Sequence, residues 1–158
     1  MEKYYIAYGS NLNIRQMSYR CPGATVVGTG FIKGYQLLFK GSKTGSYLTI
    51  EKKKGKVVPV VVWKVNEEHE RSLDRYEGYP SFYYKQEREI DIKGIKSKKP
   101  YHKKAFVYIM HEDRQLGLPY REYVRVCLEG YTAFGFSSRY LEEAIKISME
   151  AKDGNINK

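Results

Sequence analysis

An α+β domain, with a small mixed β-barrel or curled sheet flanked by three to four short helices, is the fold class this sequence predicts. Three observations lead there. Short runs rich in β-branched and aromatic residues outnumber helical patterns along the 158 residues. Gly, Pro and Lys clusters separate those runs at hairpin-like intervals. The few helical patterns each carry a capping residue at the start or a Gly at the end. A chain of this length can bury a real core as one domain. That domain is placed at residues 1–152, and the polar segment 153–158 is expected to fray. No internal repeat, low-complexity tract or linker divides it.

Taken in order, Tyr4-Tyr5-Ile6-Ala7-Tyr8 is an apolar strand that ends abruptly at Gly9-Ser10-Asn11, and Asn13 to Arg20 follows as an amphipathic helix. Thr25 to Lys33 and Tyr35 to Phe39 read as strands separated by Gly34. Ser46 to Ile50 and Val57 to Val65 read as another pair, joined across the lysines at 52–56. Val57 to Trp63 is β-branched almost throughout, as expected of a strand buried on both faces. Pro59 within it marks a strand start, an edge or a bulge. Asn66 can cap a short helix with Glu67 and Glu68 in its first turn, ending near Glu77-Gly78. Phe82 to Ile92 and Lys103 to Met110 are strands joined by a second lysine-rich loop. Pro119 can open a helix through about Glu129, with Gly130 just past its end. Ser137 or Ser138 can cap a last helix whose apolar side is Leu141, Ala144, Ile145 and Met149.

The formal net charge is +10. Residues 52–56 and 93–104 contain ten lysines and no acid, which accounts for the whole excess over 18 basic and 18 acidic residues elsewhere, since 28 − 10 = 18. Both runs read as exposed, solvated hairpin connections. Attraction of anionic substrates or RNA is the alternative use for them. The opening Met1-Glu2-Lys3-Tyr4-Tyr5 lacks the basic and long apolar regions of a signal peptide, and no run reaches the roughly 18 apolar residues of a membrane span. Cys21 and Cys127 have no metal-ligand spacing and are expected to be reduced. A cytoplasmic setting follows as the expectation.

The chemistry concentrates in two segments. The strand–loop–helix junction at Gly9-Ser10-Asn11 aims backbone N–H groups at one spot, where a helix dipole adds to them, and so suits a carboxylate or a developing oxyanion. Glu77 falls near the negative end of a predicted helix, among Tyr76, Tyr79, Phe82, Tyr83 and Tyr84. Both settings disfavour its ionised form and suit it to proton transfer near neutral pH. His69, His102 and His111 lie far apart with no ligand at helical spacing, and His111-Glu112-Asp113 reads as an exposed turn. Ser10 has no nearby His and no nucleophile-elbow pattern, so capping or hydrogen bonding is its expected role. Cys21 precedes a Pro-Gly turn and Cys127 sits among apolar helix positions, so both read as structural.

Together, Tyr8-Gly9-Ser10-Asn11-Leu12 and Leu73-Asp74-Arg75-Tyr76-Glu77-Gly78 resemble the paired motifs of the γ-glutamylcyclotransferase-like family, and the likeness covers nearly the whole chain. The resemblance implies a closed or partly closed β-barrel with helices around it. It also implies an enzyme that cyclises a γ-glutamyl amino acid, peptide or amine to 5-oxoproline with release of the amine. Glu77 would be the general acid/base, and Ala7, Tyr8, Gly9, Ser10, Asn11, Leu12, Tyr83 and Tyr123 would bind the substrate. Tyr123 is carried over because it lies seven residues before Gly130. Tyr83 and Tyr84 both have the spacing of a further tyrosine, and Tyr83 is preferred. The nucleophile is already part of the substrate, so neither a cofactor nor a metal is expected. After Gly130 the sequence departs from the Gly-Leu-Pro that follows in the family's animal enzymes, which leaves the amine portion of the substrate open. A small γ-glutamyl molecule is the expected partner, with no nucleic acid or membrane; oligomeric state is not readable. A non-catalytic γ-glutamyl- or carboxylate-binding module on the same fold and an RNA-binding protein using the lysine loops are the alternatives.

Overall fold

The computed structural model describes residues 2–42, 45–96 and 99–156, and the counts below refer to these. Strands are β1 (Lys3–Ala7), β2 (Thr25–Ser42), β3 (Gly45–Val65), β4 (Tyr83–Gly94), β5 (Pro100–Met110) and the short β6 (Gln115–Leu116). Helices are α1 (Ile14–Arg20), α2 (Glu67–Glu77), α3 (Arg121–Ala133) and α4 (Arg139–Ile156), and a 3-10 turn spans Ser10–Leu12. The sheet runs β3-β1-β5-β4-β2-β6, and β2 also pairs with β3, so five strands close into a barrel. β1 lies antiparallel to β3 and parallel to β5. The mixed barrel with four helices is the fold class expected from the sequence.

The barrel closes because β3 is apolar on both faces. Ile50, Val58, Val60, Val61 and Val62 are fully buried, together with Ile6, Phe39 and Ile92 from neighbouring strands. Pro59 sits just beyond the stretch paired with β1, Val61–Val65, where a missing N–H costs no bond to that neighbour.

Two expected breaks in the chain do not occur. Thr25–Lys33 and Tyr35–Phe39 are one strand, not two, and the lysines at 52–56 lie inside β3 rather than in a hairpin connection. Tyr35 opposes Lys52 and Lys33 opposes Val57, so Lys53 to Lys56 loop out opposite Gly34 while the ladder resumes in the same direction. Reversal falls instead where Ser42 pairs with Gly45. The lysines are exposed, as expected, but as a bulge. The second lysine run does span a hairpin, between β4 and β5, although Lys93, Lys103 and Lys104 are strand residues and Lys104 pairs with Glu87 at 3.0 Å. Ser97 and Lys98 of that run lie outside the described residues.

The helices follow their caps. Asn66 and His69 form a capping box at the start of α2, and Gly78 ends it with φ +63°, a left-handed conformation that glycine adopts without strain. His69 is thereby a structural residue, its second ring nitrogen 2.6 Å from the Pro22 carbonyl oxygen. α3 departs from expectation: it begins after Pro119, at Arg121, and continues through Gly130 to Ala133. α4 buries Leu141 and Ala144, but Met149 is exposed and Ser148 is buried in its place, donating to the Phe39 carbonyl at 3.3 Å. The segment 153–158 was expected to fray, yet α4 continues to Ile156; residues 157 and 158 lie outside the described part. No described helix is long and apolar enough to cross a membrane.

Candidate active site

A cavity of about 310 Å3 opens at one end of the barrel, where the junction after β1 meets the C-terminus of α2. It brings together Tyr8, Gly9, Ser10, Asn11, Glu77, Tyr83 and Tyr123. Ala7 and Leu12, expected beside them, do not line it: both are buried in the core on either side of the loop. Tyr83 lines this cavity, whereas Tyr84 on the opposite face of β4 donates to Glu112 at 2.6 Å.

The loop owes its shape to a 3-10 turn. Leu12 N–H donates to the Gly9 carbonyl and Asn13 N–H to that of Ser10. The earlier N–H groups of Ser10 and Asn11 have no backbone acceptor among the described residues, as expected of the first turn of a helix. Asn13 then caps α1 by accepting from the Gln16 N–H at 3.1 Å. From outside, α3 clamps the loop. Asn13 donates to the Val126 carbonyl at 3.0 Å, and Tyr131 donates to the Tyr8 carbonyl at 2.9 Å. Gly130 lies so close that a Cβ there would fall 2.6 Å from the Leu12 carbonyl carbon. Its role is close approach, not the helix end the sequence suggested.

Polar side chains hold the walls. Asn11 donates to the Tyr5 hydroxyl at 2.8 Å, and the Trp63 indole donates to the Asn11 carbonyl at 2.9 Å. Tyr8 donates to the Tyr108 carbonyl at 2.7 Å, and Tyr83 to the Leu48 carbonyl at 2.8 Å, while Tyr123 accepts from the Leu48 N–H at 3.1 Å. Arg20 extends from α1 across Tyr76, its guanidinium carbon 3.5 Å from the ring centroid, and donates to the side chains of Asn11 and Gln16. The Tyr76 hydroxyl lies 3.0 Å from Ser10 Oγ, so Ser10 is a hydrogen-bonding residue here.

Glu77 is enclosed by aromatic rings yet open to the cavity, and among the described residues no hydrogen bond or ion pair reaches its carboxyl group. Burial raises its pKa to about 8, against the lowering influence of the Arg20 guanidinium. The hydroxyls of Tyr5, Tyr8, Tyr83 and Tyr123 are pushed well above 10 by burial, so they remain protonated donors. A substrate in this cavity would meet N–H donors on one wall, neutral phenols around it, and a carboxyl group able to take and return a proton on the other wall.

Tyr76 and Phe82, expected among the aromatic neighbours of Glu77, line the cavity too; Tyr5, Tyr108 and Arg75 also line it and have no role in the sequence reading of the site. One signal was available for Tyr76: from the buried Leu73, helical spacing of three and four places both Tyr76 and Glu77 on the inward side of α2. For Tyr5 and Tyr108 no local signal exists, since sixteen tyrosines look alike until the strands are assembled.

Comparison with known proteins agrees with this picture. The family model for γ-glutamyl cyclotransferase, AIG2-like proteins matches residues 5–125. The γ-glutamylcyclotransferase of Bos taurus is 37% identical over 87 residues, a match that covers 51% of this chain and 46% of that protein. A solved γ-glutamyl cyclotransferase superposes with a TM-score of 0.77 at 25% identity, covering 91% of this chain and 86% of the other. An uncharacterized protein from Homo sapiens superposes with a TM-score of 0.76 at 27% identity, covering 90% and 86%.

Proposed function

The chain belongs to the γ-glutamyl cyclotransferase, AIG2-like family, and from that premise we propose that it cyclises a γ-glutamyl compound to 5-oxoproline and releases the free amine. The observation that carries this reading is Glu77: an unpaired carboxyl group with its pKa raised to about 8, in the same tyrosine-lined cavity as the N–H groups of Ser10 and Asn11.

The substrate's α-carboxylate or its developing oxyanion is held by the loop N–H groups. Ionised Glu77 accepts a proton from the α-ammonium. The freed amine attacks the γ-carbonyl carbon, forming the ring C–N bond, and collapse of the tetrahedral intermediate breaks the original amide C–N bond. The ring nitrogen keeps one proton of the ammonium. The other two end on the departing amine, one of them through Glu77. Proximity is supplied by the substrate itself, because attack closes a five-membered ring. Enclosing the flexible chain of the glutamyl group in its folded conformer is left to Tyr8, Tyr83 and Tyr123. A cytoplasmic setting is part of this reading, where the buried thiols of Cys21 and Cys127 stay reduced.

The test is release of 5-oxoproline, read by mass spectrometry, from a panel of γ-glutamyl amino acids, γ-glutamyl amines and glutathione. Wild-type protein should form product. Glu77→Gln should lower kcat by about 10²- to 10⁴-fold, the range for loss of a general acid/base, while substrate still binds. Full activity in Glu77→Gln would remove Glu77 from the chemistry.

A further inference from the structure

Four of the tyrosines that line the cavity are buried: Tyr5, Tyr8, Tyr83 and Tyr108. Each phenol has a single proton to donate. Tyr8 donates to the Tyr108 carbonyl, Tyr83 to the Leu48 carbonyl, and Tyr108 to Asp74 Oδ1 at 2.6 Å. Tyr5 differs, because its oxygen is the acceptor. The guanidinium of Arg20 offers only donors, and it holds Asn11 Oδ1. The other end of the Asn11 amide, Nδ2, therefore faces Tyr5 and donates to its hydroxyl oxygen at 2.8 Å. Among the described residues nothing accepts the Tyr5 proton, which is left to the cavity that Tyr5 lines. A buried donor without a partner in the protein calls for one from outside it.

Burial, and after it the charge of Glu77, raise the Tyr5 pKa well above 10. The hydroxyl thus lies within reach of the Glu77 charge, yet no hydrogen bond joins the two residues. A γ-glutamyl group brings three polar groups to this place: an α-carboxylate, an ammonium, and the γ-carbonyl oxygen, which becomes anionic in the tetrahedral intermediate. Glu77 meets the ammonium. The adjacent N–H groups of Ser10 and Asn11 match the two oxygens of the carboxylate. That leaves the γ-carbonyl oxygen to Tyr5. Asn11 fixes this hydroxyl before a substrate arrives, so the donor needs no reorganisation as the charge develops. A phenol with so high a pKa also keeps its proton beside an alkoxide-like oxygen.

Resting on the cyclisation reading above, we infer that the Tyr5 hydroxyl is the side-chain donor to the oxyanion of the tetrahedral intermediate. As the amine attacks, the π pair of the γ-carbonyl moves onto its oxygen, where Tyr5 donates to it. The pair returns to carbon as the original amide C–N bond breaks, and Tyr5 keeps its proton throughout. The test uses the member of the γ-glutamyl panel that wild type turns over fastest, with 5-oxoproline as the readout. Tyr5→Phe should lower kcat by about 10²- to 10³-fold, the range for loss of one oxyanion donor. Substrate Kd, measured by calorimetry in the Glu77→Gln background, should change by less than about threefold when Tyr5→Phe is added, because the contact strengthens only in the transition state. A ring-fluorinated tyrosine at position 5 keeps the hydroxyl and makes it a stronger donor, so its kcat should not fall; it carries the test if Tyr5→Phe does not fold. A kcat in Tyr5→Phe within about threefold of wild type, a loss expressed in Kd alone, or a lowered kcat with the fluorinated residue would overturn the inference and leave the cyclisation reading in place. Absence of 5-oxoproline from every panel member, with folded wild-type protein, would remove that reading and the role of Tyr5 together.

Discussion

Glu77 is subject to two opposing influences, burial among aromatic rings and the guanidinium of Arg20, and burial prevails. The balance has a measurable consequence. With a pKa of about 8, the carboxyl group is mostly protonated at pH 7, so turnover that requires the carboxylate should rise as pH increases through 8. Arg20 lowers that pKa, and its removal raises it. In Arg20→Met the acidic limb of the kcat/KM profile should therefore move to higher pH, by roughly half to one unit for loss of one screened charge. A limb that stays in place would show that Arg20 acts on Tyr76 and Asn11 alone.

The site is assembled by elements that meet at their ends. α2 delivers Glu77 with its last residue, the 3-10 turn delivers the N–H donors with its first residues, and α3 presses the turn into place through Asn13, Gly130 and Tyr131. Gly130 shows which influence dominates. In an isolated helix, alanine would be favoured over glycine by about 1 kcal/mol. Here a Cβ would lie 2.6–2.8 Å from backbone and Cβ atoms of Leu12 and Asn13, which have no free volume to yield into. Gly130→Ala should therefore destabilise the protein, by roughly 1–3 kcal/mol as for other overpacked sites, and it should raise KM by displacing the loop. Thermal unfolding together with steady-state kinetics reads both effects. A variant as stable as wild type would mean that α3 can lift away from the turn without cost.

For the whole molecule, the raised pKa of Glu77 links stability to pH. An acid whose pKa is raised on folding contributes stability below its unfolded value, near 4.5, and that contribution is lost as pH rises through about 8. Glu77→Gln removes the titration. Wild type and variant should be similarly stable at pH 5, and the variant should be the more stable at pH 9, by on the order of 2 kcal/mol once the partial exposure of the group is discounted. Chemical denaturation at the two pH values measures the difference. A constant gap between the two proteins would indicate that Glu77 titrates near its ordinary value.

What the sequence determined alone lies within a few residues of its cause. Asn66 and Gly78 bounded α2 because capping acts over three or four positions, and Asn13 opened α1 for the same reason. The junction at Gly9-Ser10-Asn11 and the position of Glu77 at a helix end were legible on the same local terms, and two motifs with fixed internal spacing tied them to one family. What only the tertiary structure decided depends on partners far away in the chain. Gly34 and the lysines at 52–56 look like breaks, yet β2 and β3 continue past them because each is hydrogen-bonded to the other on both sides of the bulge. Gly130 looks like a helix end until Leu12 is placed against it. Leu12 shares a motif with Tyr8 and Ser10 but turns into the core, as does Ala7 beside it, and Tyr5 and Tyr108 reach the cavity through the closure of the barrel. Strand pairing and cavity lining are set by contacts between residues distant in sequence, and local pattern carries no record of them.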